Sequence, residues 1–303
     1  MTPTHSTAIT QPNSAPIPGR TPTASPTKHY AQPGLLLGYA VVLLGGLMML
    51  APFYFMFVFA THTNSEILAV PPPLWFGSAF VENLAELLKA LPYFWNNLGW
   101  STYVALAVTA LNLFFCSLAG YAFALLDFRG RERLFGAVMA TMLLPGFVGL
   151  VPTVLTMSWL GWMNQHRALI VPGACGALGI FMMRQYISAA VPKELIEAAR
   201  MDGCSEFGIF VRIVWPLITP ALGTLGLITF ISSWNNFMGP LVILRDMDRY
   251  TVPLALRALQ GTGQTQWGAI CAGAAVAVVP LLIIFAMASR RLIDGLTAGA
   301  VKS

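Results

Sequence analysis

Long apolar stretches alternate with short polar and charged segments along most of the chain. We predict membrane-spanning helices over residues 34–60, 97–126, 134–160, 168–190, 217–244 and 267–289. A helix needs about 20 mostly apolar residues to cross a bilayer, whereas the strands of a membrane barrel have about 10 residues of alternating polarity. The lengths of the stretches therefore predict an all-α integral membrane protein with six transmembrane helices. Prolines inside these stretches are expected to kink some of the helices.

The composition agrees with this class and removes one alternative. Hydrophobic residues make up 56% of the chain and charged residues 10%, against about 25% charged residues in soluble domains. A net charge of +5 would suit a nucleic-acid ligand, but the basic residues cluster at the ends of apolar stretches, where membrane topology places them. We therefore expect a lipid bilayer around this chain and no nucleic acid.

The distribution of Lys and Arg predicts the orientation of the helices. If the N-terminus is cytoplasmic, most of the 17 basic residues lie on the cytoplasmic side, as the positive-inside rule requires. Both termini and the segment 191–216 between spans four and five are then cytoplasmic. The segments 61–96 and 245–266 are then outside.

Three parts of the chain differ in composition. Residues 1–33 are rich in Pro, Ser and Thr, and we expect a disordered cytoplasmic tail there because such a segment cannot bury enough apolar surface to fold. Residues 34–96 are expected to form the first transmembrane helix and an extracytoplasmic loop. Residues 97–303 are expected to form the remaining transmembrane domain, including the loop 191–216.

The predicted spans lack the groups that ion coupling or catalysis requires. No ionisable residue lies near the centre of a span, and Arg184 lies near the predicted cytoplasmic end of its helix, where its side chain can reach water. Carriers driven by protons or sodium usually bind the ion with ionisable groups in the membrane. The chain has no Gly-Lys pair before Ser or Thr, and its four His and four Cys show no metal-ligand spacing. We expect no enzyme activity, no metal and no cofactor in this chain, so the energy for any transport would come from another subunit.

A charged segment, EAARMDG, interrupts the apolar pattern at residues 197–203. Pro192 suits the first position of a short helix, Gly203 suits the position just past its end, and Ser205 can cap a following helix. The apolar residues expected to share one face are Leu195, Ile196 and Ala199. Spacing alone leaves two interpretations, a helix lying on the bilayer or a helix that docks in a groove of another protein.

This segment resembles the EAA loop of bacterial ABC importer permeases. The matching residues are Glu197, Ala198, Ala199, Asp202 and Gly203. Further stretches that resemble the family, in the same order, are LAGYAFALLDFRGR, MLLPGFVGLVP, SSWNNFMGPLVIL and YTVPLAL. From about residue 97 onwards the chain is similar to the maltose-G type of permease in the carbohydrate-uptake family, a binding-protein-dependent transport system inner-membrane component. Cys204 and Trp215 depart from the small and aliphatic residues usual there.

The resemblance implies a function and a set of partners. In that family the EAA loop forms a coupling helix in a cleft of an ATPase subunit, so Glu197 would meet a basic group, Ala198 and Ala199 would allow close approach, and Gly203 would make the bend. The implied partners are a second permease in a heterodimer, two ATPase subunits that bind ATP and Mg²⁺, and an extracytoplasmic sugar-binding protein. The chain would then carry a sugar, a di- or oligosaccharide, across the bacterial inner membrane.

Polar residues also interrupt the fifth predicted span, in the stretch SSWNNF. The candidate pathway residues in this stretch are Ser233, Trp234, Asn235 and Asn236. Amides in hydrocarbon need partners, which leaves two interpretations: hydrogen bonds between helices, or a translocation path in which sugar hydroxyls bind the amides and Trp234 offers an apolar face. The charged loop 245–266 is either a solvated loop or, by resemblance, a surface that faces the binding protein.

Two other function classes compete with an ABC importer permease. The first is a self-sufficient channel or secondary transporter, against which the EAA loop and the absence of charge within the predicted spans both argue. The second is a membrane scaffold without a pathway, against which the SSWNNF cluster argues. The sequence does not identify the sugar.

Overall fold

The structure is a computed structural model that describes residues 33–261 and 265–300, with side chains over 37–260 and 265–286. All regular structure in these ranges is helical. In chain order the α-helices are α1 (Pro33–Phe59), α2 (Asn64–Ile67), α3 (Phe80–Ala90), α4 (Phe94–Leu125), α5 (Arg131–Ala140), α6 (Leu150–Trp159), α7 (Arg167–Gly173), α8 (Ala177–Ala190), α9 (Lys193–Met201), α10 (Glu206–Ile209), α11 (Trp215–Leu217), α12 (Thr219–Trp234), α13 (Met238–Ile243), α14 (Val252–Ala258) and α15 (Trp267–Ala300). The 3₁₀ turns are Thr141–Leu143, Gly146–Gly149, Met247–Arg249 and Leu259–Gly261, and a π-helix covers Phe210–Val214.

The chain divides into two compact units, Met1–Leu50 and Ala51–Ser303. The described part of the first unit is the beginning of α1, whose mostly apolar side chains are exposed from Leu37 onwards. Apart from Pro33, the predicted disordered tail lies outside the described residues. All of the candidate site residues belong to the second unit.

Four helices in the described residues are long and apolar enough to cross a membrane. They are Leu37–Phe59, Phe94–Leu125, Arg167–Ala190 and Trp267–Ala286. Two further stretches are pairs of bent helices, Arg131–Leu143 with Gly146–Trp159 and Glu206–Leu217 with Thr219–Trp234. The described residues therefore contain four candidate spans, or up to six if each bent pair is one span, and two of the six predicted spans are interrupted by a sharp bend.

The third predicted span, residues 134–160, changes direction in its middle. Its two halves meet at 101°, and the bend falls at Leu144 and Pro145. Pro145 has no N–H for the helical ladder, and its ring disfavours a helical conformation of the residue before it. Leu144 is accordingly extended, with φ −79° and ψ 126°. A proline that was expected to kink one helix instead separates two.

The fifth predicted span, residues 217–244, is corrected at both ends. Its central helix begins at Thr219 and ends at Trp234, and residues 235–237 are not helical. Before Thr219 the chain turns through 82° at Ile218. The SSWNNF residues therefore lie at the end of a helix and in the turn after it, where backbone and amide groups can point into a cavity.

A π-helix precedes the turn at Ile218. Pro216 cannot donate a hydrogen bond, so the carbonyl of Arg212 loses its α-helical partner. The ladder over Phe210–Val214 widens into a π-helix at this place, and such local adjustments are frequent at functional sites.

Helix α4 lies at the centre of the described bundle and packs against both α8 and α12. At Gly120 the approach to α8 is so close that a Cβ would lie 2.6 Å from the Cβ of Met183, so only glycine fits there. The largest buried cluster surrounds this contact, and its bulkiest fully buried members include Tyr121, Phe210, Met183, Ile187, Ile196 and Leu225. Helix α15 packs against α12 and α3.

Candidate functional site

The charged segment after α8 folds into the short amphipathic helix α9. Pro192 is its N-cap, with φ −64° and ψ 135°. The helix therefore begins at Lys193, one residue later than predicted. Ile196 and Ala199 are 2% and 7% exposed and join the large buried cluster, whereas Leu195 is 42% exposed. The prediction that all three share one buried face is therefore wrong for Leu195, which lies about 100° around the helix from Ile196.

The candidate coupling residues of α9 are divided between two faces. Glu197, Ala198, Asp202 and Gly203 are exposed. Ala199 is buried against the chain's own core, so it contributes packing there and no free surface for a partner. The exposed face is shallow and charged, which suits contact with another protein.

Helix α9 ends in a complete Schellman turn. The N–H of Gly203 donates to the carbonyl of Arg200 and the N–H of Cys204 donates to the carbonyl of Ala199, each at 3.0 Å, which is the pairing that defines the motif. Gly203 has φ 78°, and no heavy atom lies within 4 Å of the position of a Cβ there. Glycine is thus favoured by backbone conformation and not by lack of space.

A polar link that the sequence reasoning missed joins this loop to α4. Ser205 caps α10 by accepting from the N–H of Gly208 at 3.2 Å, as predicted. The next residue, Glu206, accepts from Nε of Arg200 at 2.7 Å and from the hydroxyl of Tyr121 at 2.5 Å. An acidic residue just after a Ser cap suits the helix dipole, but no local signal indicates a partner 85 positions away.

Aromatic rings pack behind this link. The ring centroid of Phe210 lies 5.7 Å from that of Tyr121, 5.6 Å from that of Trp215 and 6.3 Å from that of Phe114. Trp215, which departs from the residues usual in the resembling family, packs against Phe210 of the same loop. It also reaches Phe114 of α4, at 6.2 Å between centroids, so the loop packs on α4 as well.

A cavity of about 280 Å³ lies between α4, the α7–α8 break and α12. Its polar lining residues are Asn112, Thr229, Ser232, Ser233 and Asn236. The hydroxyl of Thr229 donates to Oδ1 of Asn112 at 3.3 Å, and Nδ2 of Asn112 donates to the carbonyl of Gly173 at 3.1 Å. The cavity therefore offers hydroxyl and amide groups within an otherwise apolar bundle.

The SSWNNF residues do not all face this cavity. Ser233 and Asn236 line it, and Oδ1 of Asn236 also accepts from the N–H of Gly239 at 3.2 Å. Asn235 is exposed and donates to the carbonyl of Ile231 at 3.0 Å within its own helix turn. The expectation that Trp234 offers its face to a pathway is corrected.

Trp234 points into the protein core of its own chain. It is 5% exposed and stacks on Phe230, with 5.6 Å between ring centroids and 24° between planes. Ala105 of α4 belongs to the same buried cluster. A large indole reduces its exposed apolar area by this packing, and the polar residues beside Trp234 in the sequence do not indicate it.

The charged segment after α13 is fixed to Asn164, which has φ 60°. Oδ1 of Asn164 accepts from the N–H groups of Arg245 and Asp246 at 2.9 and 3.2 Å, and Nδ2 donates to Oδ2 of Asp246 at 2.5 Å. The guanidinium of Arg249 donates to the carbonyl of Asn164 at 2.9 Å. The charged side chains of Arg245 and Asp246 are exposed, but the backbone of this segment is bound and not simply solvated.

The beginning of α4 binds the continuation of this segment, residues 247–252. Nδ2 of Asn97 donates to two of its carbonyls at 2.8 and 2.9 Å, and Nε1 of Trp100 donates to a third at 3.1 Å. The hydroxyl of Ser101 accepts from the N–H of Val252 at 2.8 Å. Asn97 and Ser101 are buried, so these bonds also satisfy polar groups that water cannot reach.

His166 completes this region. Its ring stacks on that of Trp100 with 4.0 Å between centroids, and Nε2 lies 2.8 Å from the carbonyl of Arg249. A carbonyl only accepts, so Nε2 carries the hydrogen. Burial lowers the pKa of His166 below 6.5, and the nearby charge of Arg249 acts in the same direction.

A metal site would need several ligands close together. Within residues 37–260 and 265–286, no group of three or more His, Cys, Asp and Glu side chains is arranged to hold a metal ion. The chemistry of the described surface is therefore that of hydroxyls, amides and the charged face of α9.

Comparison with known proteins assigns the chain to a family. The family described as binding-protein-dependent transport system inner membrane component matches residues 33–296. The chain belongs to this family. It is an inner-membrane permease component, and the relatives described below are transport permeases.

Three curated relatives illustrate the range of the family. AraQ of Halalkalibacterium halodurans, an arabinooligosaccharides transport system permease protein, is 35% identical over 73% of this chain and 79% of its own length. LacG of Rhizobium radiobacter, a lactose transport system permease protein, is 32% identical over 88% and 96%. UgpE of Escherichia coli, an sn-glycerol-3-phosphate transport system permease protein, is 30% identical over 86% and 95%.

A solved structure shares the fold. It comes from a bacterial ABC transporter involved in the import of the acidic polysaccharide alginate, and its chain superimposes with a TM-score of 0.73 over 87% of this permease and 99% of its own length. The two sequences are 22% identical. The likeness therefore concerns the overall arrangement of helices.

Proposed function

We propose that this permease is a subunit of an ATP-driven importer and that α9 is the element on which an ATPase subunit docks. The observation that carries the proposal is a short helix held by Ile196 and Ala199 on one face, with its other face free. On that face Glu197 would pair with a basic group of the ATPase, and Ala198 would let the two surfaces approach. Asp202 and Gly203 would close the helix so that its end remains compact.

The proposal includes the partners that such a subunit requires. A second permease would complete the pathway as a heterodimer, and an extracytoplasmic binding protein would deliver the cargo. Two ATPase subunits would bind ATP and Mg²⁺ and carry out hydrolysis, so this chain would be no enzyme. Six spans with both termini in the cytoplasm would bring the loop 191–216 to the side on which ATP is available.

The polar cavity is the best candidate for this chain's share of the pathway. Asn112, Thr229, Ser233 and Asn236 present amides and hydroxyls, which can exchange hydrogen bonds with the hydroxyls of a sugar as they do with water. Closure of the ATPase subunits would displace α9 and rock the spans, so that the cavity faces first one side of the membrane and then the other.

The names of the relatives support a carbohydrate cargo. AraQ and LacG are described as permeases for arabino-oligosaccharides and lactose, and UgpE as one for sn-glycerol 3-phosphate. These molecules are small and rich in hydroxyls, which matches the polar lining of the cavity. We propose a di- or oligosaccharide as the cargo.

A self-sufficient channel or secondary transporter is the rival function. Its coupling ion would need an ionisable site within the spans, and the polar residues that line the cavity are amides and hydroxyls. A scaffold without a pathway would have no use for such a cavity. Both rivals predict that the chain works, or is stable, without an ATPase.

Uptake by reconstituted complexes tests the proposal. The tagged permease would be purified from its native membrane in mild detergent with its bound partners and placed in liposomes. Lactose, arabinotriose and sn-glycerol 3-phosphate would each be offered as a probe, with ATP or ADP on the ATPase side. We expect ATP-dependent uptake of at least one probe. Uptake by the chain alone, without ATPase, would favour the rival.

Matched variants locate the pathway. Asn236→Ala removes an amide that lines the cavity, and we expect slower uptake of the transported probe by about tenfold, the order of one or two lost hydrogen bonds. Asn235→Ala removes an amide that bonds only its own helix turn, so uptake is expected to stay near the wild-type rate. Equal effects of the two changes would contradict a pathway at this cavity.

A further inference from the structure

We propose that Glu206 is the residue through which movement of α9 reaches the transmembrane helices. The inference rests on the proposed function, because it assumes that an ATPase subunit moves α9. Glu206 lies outside α9, directly after the Ser205 cap. It acts as a positioning residue that holds one helix at a fixed distance from another.

Both oxygens of the Glu206 carboxylate are used. Oε1 accepts from Nε of Arg200 at 2.7 Å, and Oε2 accepts from the hydroxyl of Tyr121 at 2.5 Å and from the terminal nitrogen of Arg200 at 3.4 Å. Arg200 belongs to α9 and Tyr121 to α4. One carboxylate thus connects the exposed helix to the central span, and charge-assisted bonds of this kind are short and directional.

The far end of the link is firmly held. Tyr121 is 2% exposed, and its ring packs against Phe210. The residue before it, Gly120, lies so close to Met183 of α8 that a Cβ would not fit there. Because close-packed groups transmit displacement instead of absorbing it, a pull on Tyr121 would be delivered to two transmembrane helices together.

Two other connections of α9 are softer. The covalent connection from α9 to α10 runs through Gly203, where a left-handed glycine with free space around it can change conformation at low cost. The contacts of Ile196 and Ala199 are apolar, and such contacts are non-directional. The Glu206 link adds a directional connection of fixed length between α9 and α4.

Exposure explains why Tyr121 is needed. The side chains of Arg200 and Glu206 are 39% and 46% exposed, and an exposed ion pair alone is weakened by water and salt. The hydroxyl of the buried Tyr121 fixes the carboxylate in one orientation, so that Arg200 has a preformed partner. The three residues therefore act as one unit.

Spin-label distances in the intact complex test this inference. Labels would replace Met201, which is 88% exposed at the end of α9, and Asp127, whose side chain is 97% exposed beyond the end of α4. The exposed thiols of Cys175 and Cys204 would first be changed to serine. Distances would be measured in lipid nanodiscs without nucleotide and with ATP trapped on the ATPase.

Two variants and one control separate the link from general stability. Tyr121→Phe removes only the hydroxyl and keeps the ring, and Glu206→Gln removes the charge and keeps the size. Tyr103→Phe is the control, because Tyr103 lies on the same helix and is 54% exposed. ATP hydrolysis is expected to stay within about fivefold of wild type in all three, the factor for one hydrogen bond.

The expected result is a narrow label distance that ATP leaves unchanged in wild type and in Tyr103→Phe. In Tyr121→Phe and Glu206→Gln the distance broadens or shifts when ATP is bound, because α9 moves without α4. A distance that stays unchanged in both variants would overturn the inference. Loss of the ATPase from Tyr121→Phe alone would also overturn it, since the link would then serve docking and not transmission.

Failure of the proposed function has a different signature. If no ATPase accompanies the wild-type chain under mild conditions, the proposed function fails and this inference fails with it. If the wild-type complex forms and hydrolyses ATP while the variants behave like the control, only the inference fails.

Discussion

The two ends of α4 are held in different ways. At its beginning, Asn97, Trp100 and Ser101 bind backbone groups of residues 247–252. At its end, Tyr121 binds a side chain, the carboxylate of Glu206. The first end is fixed by several bonds to backbone groups, whereas the last end is joined by one side-chain link to the loop that carries α9.

This difference indicates that the first end of α4 is an anchor and that its last end can move. A backbone group buried without its partner costs about 1–3 kcal/mol, so the bonds of the first end resist opening. Near the last end, the loop contains Gly203 and a π-helix, both of which tolerate rearrangement, while the Glu206 link keeps α9 and α4 together. We infer that α4 pivots at its first end when α9 is displaced.

The largest expected effect is on the moving end, at Gly203. Gly203→Pro removes the N–H that binds Arg200 and imposes a negative φ, at a cost of about 3 kcal/mol. We expect at least about a tenfold loss of co-purifying ATPase, since 1.4 kcal/mol is a factor of ten.

Matched replacements at Gly203 show whether backbone conformation is the cause. Gly203→Asn tolerates a positive φ and should keep most of the ATPase, and Gly203→Ala should be intermediate, with a cost of about 1 kcal/mol. Mass spectrometry of the purified complex measures the amounts. Full retention of ATPase by the proline variant would contradict the role of this turn.

The next largest effect is expected from substitutions that weaken the anchored end. Asn164→Ala loses the bonds to Arg245 and Asp246 and places alanine at positive φ, so we expect a loss of about 2–4 kcal/mol in folding stability. Asn164→Gly loses the same bonds but keeps the backbone conformation, and its loss should be smaller. Thermal unfolding in detergent measures both Tm values. An unchanged Tm in both variants would show that this segment is not an anchor.

A smaller effect is expected inside α4 itself. Ser101→Ala leaves the N–H of Val252 without its acceptor, which should lower stability by about 1–3 kcal/mol and Tm by a few degrees. Ser117→Ala is the matched control, because Ser117 is equally buried but its hydroxyl donates to Leu113 within the same helix, so little stability should be lost. Equal Tm values for the two variants would contradict the comparison.

The smallest effect is one of pH at the anchored end. Burial lowers the pKa of His166, the charge of Arg249 acts in the same direction, and the hydrogen bond to the carbonyl of Arg249 and the charge of Asp248 oppose the shift. A base whose folded pKa is lowered contributes stability above its unfolded pKa and loses it as the pH falls from there to the lowered folded pKa. We expect Tm to fall between about pH 8 and about pH 5 by more in wild type than in His166→Gln. The same pH dependence in both would exclude His166 as its source.

Local signals predicted two turns of the loop 191–216 well. Gly203 and Ser205 are identified by what each does to the residues beside it, and the structure has the left-handed turn and the cap at those positions. Pro145 indicated a kink in the third predicted span, although not a bend of 101° between its two halves. Such features need only a few neighbouring residues, which a single sequence supplies.

Features that depend on distant residues could not be predicted. The link between Glu206 and Tyr121 joins positions 85 residues apart, and nothing near either residue indicates the other. The burial of Trp234 could not be predicted, because its packing partners Phe230 and Ala105 lie on two helices whose contact the sequence does not show. Leu195 was predicted to share a face with Ile196, the next residue in the helix. Neighbouring helix residues point about 100° apart, and this rotation is enough to move a side chain from core to surface.

Site-specific photo-crosslinking tests the central claim most directly. A photoreactive residue would replace Met201, which is 88% exposed at the end of α9, and in a control Trp159, which is 86% exposed at the end of α6. In native membranes we expect an adduct between the Met201 position and an ATPase subunit, and none from the Trp159 position. Adducts with lipid alone, or with a second copy of this chain, at Met201 would contradict the docking of an ATPase on α9.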